Sequence, residues 1–127
     1  MYEIADKITE AELEIMRVLW AASRPLTLSQ IKEPLLKTTK WNGDTIKTLL
    51  RRLCEKGAVS QEKQEVYYYW PLISSDEYGK YCTQKLIEKL YSGRASNMIT
   101  AMVKNDQLSP EDIEELRSIL KAGAENE

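Results

Sequence analysis

Asn42, Thr45, Lys47, Thr48, Arg51 and Arg52 bring an amide, two hydroxyls and three cations into one short stretch of a 127-residue chain. Interleaved with them, Ile46, Leu49, Leu50 and Leu53 recur at i, i+3, i+4 and i+7, the spacing of one buried helix face. A helix buried on that face turns the polar set outward. Threonine hydroxyls and methyls suit base edges, and lysine or arginine suits phosphate or guanine. The unpaired N–H groups at such a helix start favour a phosphate as well. Residues 40–63 hold six basic residues against three acidic ones, a local excess of +3 in a chain of net charge −2. Asp44 is the exception in this set. It suits the dipole of the first helical turn. Facing DNA, it would repel phosphate and accept from a cytosine amino group.

Other chemistries are closed off. The chain has no His, so a Ser-His-Asp triad, a Cys-His pair, a His-bound zinc ion and an imidazole pH switch are all excluded. Two thiols, Cys54 and Cys82, are too few for a disulfide scaffold or a four-thiolate site, and both are expected as small buried hydrophobes. No Gly-rich phosphate loop stands in a recognisable frame. The expectation is a non-enzyme without metal or cofactor. No run of 18 or more apolar residues offers a membrane span, and the N-terminus lacks a secretory pattern, so a cytoplasmic location is expected.

The elements that hold the polar stripe follow from capping signals and periodicity. Thr9 with Glu12 forms a capping box ahead of Leu13, Met16, Leu19 and Trp20, and Ser23-Arg24-Pro25 stops that helix. Thr27 with Gln30 repeats the pattern ahead of Leu28, Ile31, Leu35 and Leu36, read as inward. Pro34 lies inside this second helix and predicts a kink or an early stop. Asn42 is the expected N-cap of the third helix, about Asp44 to Lys56, and Gly57 its left-handed end. Residues 58–63 and 66–70 read as strands around Gln64-Glu65, with Pro71 ending the second. From Ser74 onward the pattern is wholly helical. Tyr78, Cys82, Leu86 and Leu90 recur every four residues, Ser92-Gly93 is a break, and a short helix carries Ala95, Met98, Ile99, Met102 and Val103. Ser109-Pro110-Glu111-Asp112 starts a last helix with Ile113, Leu116, Ile119 and Leu120 on its apolar face, expected to fray from Ala122 to Glu127.

Three helices and a hairpin make a mainly α winged helix-turn-helix, expected over residues 1–73, with a helical dimerisation region over 74–127. The third helix would be the recognition helix. The wing would bring Lys63 and Gln64 to the backbone beside the groove. The competing reading is a winged helix used for protein contact without direct DNA binding. The region after residue 73, about 50 residues, is too small to bury its own core. Its apolar set, Leu86, Leu90, Met98, Ile99, Met102, Val103, Ile113, Leu116, Ile119 and Leu120, is expected to close against a second copy, the alternative being packing onto the winged helix. Charge divides along the same line: residues 1–75 carry +1 and residues 76–127 carry −3.

Several segments together resemble the BlaI/MecI family of penicillinase and methicillin-resistance repressors. They are Ile8-Thr9-Glu10-Ala11-Glu12 through Val18-Leu19-Trp20, Trp41, Thr45 to Leu53 through Lys56-Gly57, Tyr67-Tyr68-Tyr69 through Pro71-Leu72, and Leu108 to Leu116. The resemblance implies a homodimeric transcriptional repressor on a palindromic operator in double-stranded DNA, with Thr45, Lys47 and Thr48 at the contacts. It also implies control by a membrane sensor acting as antirepressor through proteolysis in the dimerisation region. Relatives are cut between Asn and Phe, and the matching bond here is Ala101-Met102. Asp44 stands where relatives often carry Lys. The paired Cys-x-Cys motifs of copper-responsive relatives are absent.

Overall fold

The computed structural model describes residues 3–125 and places the chain in two compact units, residues 1–82 and 83–127. The end of the tail expected to fray, residues 126 and 127, lies outside the described residues.

The first unit begins with α1 (Glu3–Lys7) and α2 (Glu10–Ala22). The capping box on α2 forms as expected: Glu12 N–H donates to Thr9 Oγ1 at 3.2 Å, and Thr9 N–H donates to Glu12 Oε1 at 3.0 Å. Ser23, in the left-handed region at φ 55°, ends α2. Strand β1 (Leu26–Thr27) leads directly into α3 (Leu28–Thr38), where Thr27 and Gln30 form the second box. Helix α4 (Gly43–Lys56) starts from Asn42, whose Oδ1 accepts from Thr45 N–H at 2.8 Å, and closes at Gly57 with φ 82°. Strands β2 (Val59–Lys63) and β3 (Tyr67–Pro71) form the hairpin, and β1 adds to its other edge, giving an antiparallel sheet in the order β1-β3-β2. This is a mainly helical winged helix-turn-helix.

The core lies where α2, α3, α4 and the sheet meet. It holds Ile15, Met16, Leu19, Leu26, Ile31, Leu35, Val59 and all four residues of the α4 stripe, Ile46, Leu49, Leu50 and Leu53. Helix α5 (Ser75–Leu90) runs from one unit into the other. Its first turns belong to the winged helix, where Tyr78 stacks on Trp20 with ring centres 5.7 Å apart and the Tyr81 hydroxyl bonds Asp6. The contacts therefore divide the chain at 82/83, later than the 73/74 boundary read from the sequence. In the second unit, α6 (Ala95–Lys104) and α7 (Pro110–Glu125) follow, with Ser109 and Asp112 in a reciprocal cap.

Some expectations need correction. The early stop at Pro34 does not occur: α3 continues to Thr38. Ile31 and Leu35 are buried on either side of Pro34, and that packing outweighs the lost N–H. Leu36 is exposed, because α3 turns the Ile31–Leu35 line inward and Leu36 away from it. Cys82 is exposed, and Cys54 is only half-buried. Helix α7 does not fray at Ala122 but persists to Glu125.

Candidate nucleic-acid interface

Helix α4 is positioned from both ends. At its start, Asn42 takes the Thr45 N–H, which leaves the other first-turn N–H groups pointing outward. At its end, Lys56 reaches back to α2: Nζ donates to Glu12 Oε1 at 2.5 Å and Oε2 at 2.8 Å, and to the Lys7 carbonyl at 2.9 Å. Glu12 is 1 % exposed and is the buried charged residue of the core. Burial pushes its carboxyl up, but the Lys56 hydrogen bonds and charge, with the Thr9 N–H, outweigh burial and hold it below the ordinary carboxylate value. One carboxylate thus caps α2 and anchors α4.

With Ile46, Leu49, Leu50 and Leu53 inward, the winding of about 3.6 residues per turn puts Asp44, Thr48, Arg51 and Glu55 on the outermost line of α4. Thr45 and Arg52 flank this line on one side and Lys47 on the other. Lys47, Arg51 and Arg52 are exposed, while Thr45 and Thr48 are half-buried, which holds their hydroxyls close to the helix surface. Arg51 makes an ion pair with Glu55 at 3.8 Å, both exposed, an interaction that competes weakly with an external phosphate. Lys47, Arg52 and Lys63 have no ion pair among the described residues. Arg52 is therefore not held by an acidic neighbour among the described residues.

The wing stands on the Lys47 side. A groove of about 520 Å³ between α4 and the sheet is lined by Lys47, Thr48, Arg51, Cys54, Gln61 and Tyr69. Burial, with Glu55 nearby, pushes the Cys54 thiol up, so it sits in the groove as a neutral thiol. A second groove of about 550 Å³ joins Lys47 to Thr27, Ser29, Val66 and Tyr67. Tyr67 and Tyr69 share one face of β3, with ring centres 6.4 Å apart; Tyr69 packs against the core, while Tyr67, nearer the wing tip, stays exposed with Val66. Lys63 is exposed at the tip of β2.

Lys32 was not among the residues picked from the sequence. It lies on α3, yet its Nζ comes within 3.1 Å of where a Cβ on Gly43 would be. A cation thereby sits at the mouth of α4. The sequence carries no local sign of this, since the approach exists only once α3 and α4 pack.

The set read as apolar dimerisation residues lies in the second unit and is open. Leu86, Leu90, Ile99, Val103, Ile119 and Leu120 are exposed, and Met98, Met102, Ile113 and Leu116 are half-buried. Between α6 and α7, a groove of about 420 Å³ is lined by Ile99, Met102, Leu108, Leu116 and Ile119. The Ala101–Met102 bond lies within α6, whose N-cap residue, Arg94, makes no side-chain cap. No helix among the described residues is long and apolar enough to cross a membrane, and no group of three or more His, Cys, Asp or Glu among them could hold a metal ion.

Comparison with known proteins adds to this geometry. The penicillinase repressor family model matches residues 8–122. The penicillinase repressor of Bacillus licheniformis is 40% identical over 116 residues, 91% of this chain and 90% of that protein. The methicillin resistance regulatory protein MecI of Staphylococcus aureus (strain N315) is 33% identical over 116 residues, 90% of this chain and 93% of that protein. A solution structure of the monomeric form of Bacillus licheniformis BlaI in complex with the blaP half-operator is 38% identical, with a TM-score of 0.51, covering 57% of this chain and 88% of that one.

Proposed function

The chain belongs to the penicillinase repressor family, and from that premise we propose that it is a DNA-binding transcriptional repressor acting as a homodimer on a palindromic operator. The observation that carries the reading is the outer face of α4, where two threonine hydroxyls lie among cations at a capped helix start beside a wing. Thr45 and Thr48 meet base edges. Lys47, Arg51, Arg52 and Lys63 meet phosphates, and the Asn42 amide adds a donor at the helix start. It is not an enzyme. It works in the cytoplasm.

The unit after residue 82 supplies the dimer, and the unit before it, which takes in the first turns of α5, supplies the DNA-binding fold. The exposed apolar rows of α5, α6 and α7 close against a second copy, and a two-fold axis sets two recognition helices about one DNA turn, or a multiple, apart. Control by a membrane-bound protease would act at Ala101–Met102. That bond is helical, so α6 must unwind before it can be cut, and the uncapped start at Arg94 lowers the cost of unwinding.

Selection of DNA from a random pool by the purified chain, followed by footprinting upstream of its own gene, tests the reading. A protected inverted repeat is expected. Absence of any protected repeat at low salt, where phosphate contacts are strongest, would overturn it in favour of a protein-binding winged helix.

A further inference from the structure

The outermost line of α4 begins and ends on a carboxylate. Glu55 is engaged by Arg51, but Asp44, also exposed, has no side-chain hydrogen bond or ion pair among the described residues. The capping bond that an acid near a helix start would make is already made by Asn42. Asp44 also shares its line with Thr48, one turn further on, and the N-terminal residues of a recognition helix are those that reach base edges. A bare carboxylate there cannot rest on a phosphate.

We propose that Asp44 is a specificity residue that selects cytosine at one position of each half-site. This deepens the operator reading above and rests on it. The chemistry narrows the choice to one base. In the major groove guanine presents two acceptors and thymine an acceptor with a methyl, both of which a carboxylate repels. Adenine presents a donor beside an acceptor, and cytosine presents a donor alone. Only cytosine offers Asp44 a hydrogen bond without an opposing lone pair. Lys32, whose ammonium lies over Gly43, is placed to neutralise the phosphate that flanks this contact.

The test is DNA selection and sequencing with the full chain, run in parallel on the wild type, Asp44→Ala and Asp44→Asn, with far-UV melting to confirm that each is folded. The wild type is expected to enrich a cytosine at one position per half-site, with roughly ten- to hundredfold discrimination there. Asp44→Ala should lose that preference and keep the rest of the site. Asp44→Asn should move it toward adenine, which an amide pairs in bidentate fashion. The same base preferences in all three proteins would overturn the proposal and leave Asp44 as a partner of the helix dipole. If the wild type enriches no sequence at all, the operator reading itself fails and this inference falls with it.

Discussion

The two units of the molecule share one local grammar and end in opposite states. Helices in both begin with reciprocal side-chain caps: Thr9, Thr27 and Ser74 in the first, Ser109 in the second. Both carry apolar rows at helical spacing. In the first unit those rows meet and vanish from solvent. In the second, no side chain described between residues 83 and 124 is buried, and Leu120 is 65 % exposed. Capping and periodicity specify a helix, therefore, but not what covers it. The first unit carries enough neighbouring elements to seal its own core. The second needs a surface from outside, which the proposed dimer provides.

Mutations that act on the two units differently can break this contrast. The largest effect is expected in the sealed core: Leu53→Ala should cost about 2–5 kcal/mol in urea unfolding, by lost burial and the cavity it leaves. A cost under about 1 kcal/mol would mean that the core is looser than described. Next is the buried carboxylate. Glu12→Ala should cost about 2–3 kcal/mol, less than a fully buried pair, because Lys56 is 27 % exposed and can turn to water.

Glu12 also gives the first unit a pH signature. Its carboxyl is a stronger acid when folded than when unfolded. Its contribution is full above the unfolded carboxylate value and drains away as pH falls through the folded value. Urea midpoints followed from about pH 6 to pH 3 should fall for the wild type and fall less steeply for Glu12→Gln. Parallel slopes would remove Glu12 as a source of the acid sensitivity.

In the second unit the sign of the argument changes. Leu120→Ala should leave the monomer within about 0.5 kcal/mol, since the side chain is exposed there. It should weaken self-association by about 1–2 kcal/mol, read by sedimentation equilibrium. Unchanged association would place Leu120 outside the interface. The smallest effect concerns charge. Lys47→Ala should reduce the slope of log affinity against log salt by about 1, whereas Lys121→Ala, on the open unit, should leave it unchanged.

Much of the fold can be read from the sequence because its signals are local. The capping pairs and the four apolar residues of α4 each lie within a few residues of one another. The parts that cannot be read are non-local or too short. Strand β1 is two residues long and exists through its pairing with Tyr68 and Tyr69, some forty residues away. Helix α1 has five residues, fewer than two turns, so no period can be counted. Pro34 lowers local propensity, and the burial of Ile31 and Leu35 overrides it. At the interface, the polar residues of α4 follow from the phase of its apolar stripe. Lys32 and the Glu12–Lys56 pair do not, because each joins helices that only tertiary packing brings together.

The Glu12 carboxylate has one further consequence, for how such a sequence can drift. Because it ends one helix cap and receives the ammonium at the tail of another helix, positions 12 and 56 are not free to change alone. A neutral residue at 56 would strand a charge in the core, and a neutral residue at 12 would leave Lys56 without its counter-ion. Replacements at the two positions are tolerated best in pairs, so sequences related to this one should vary there together, forty-four residues apart.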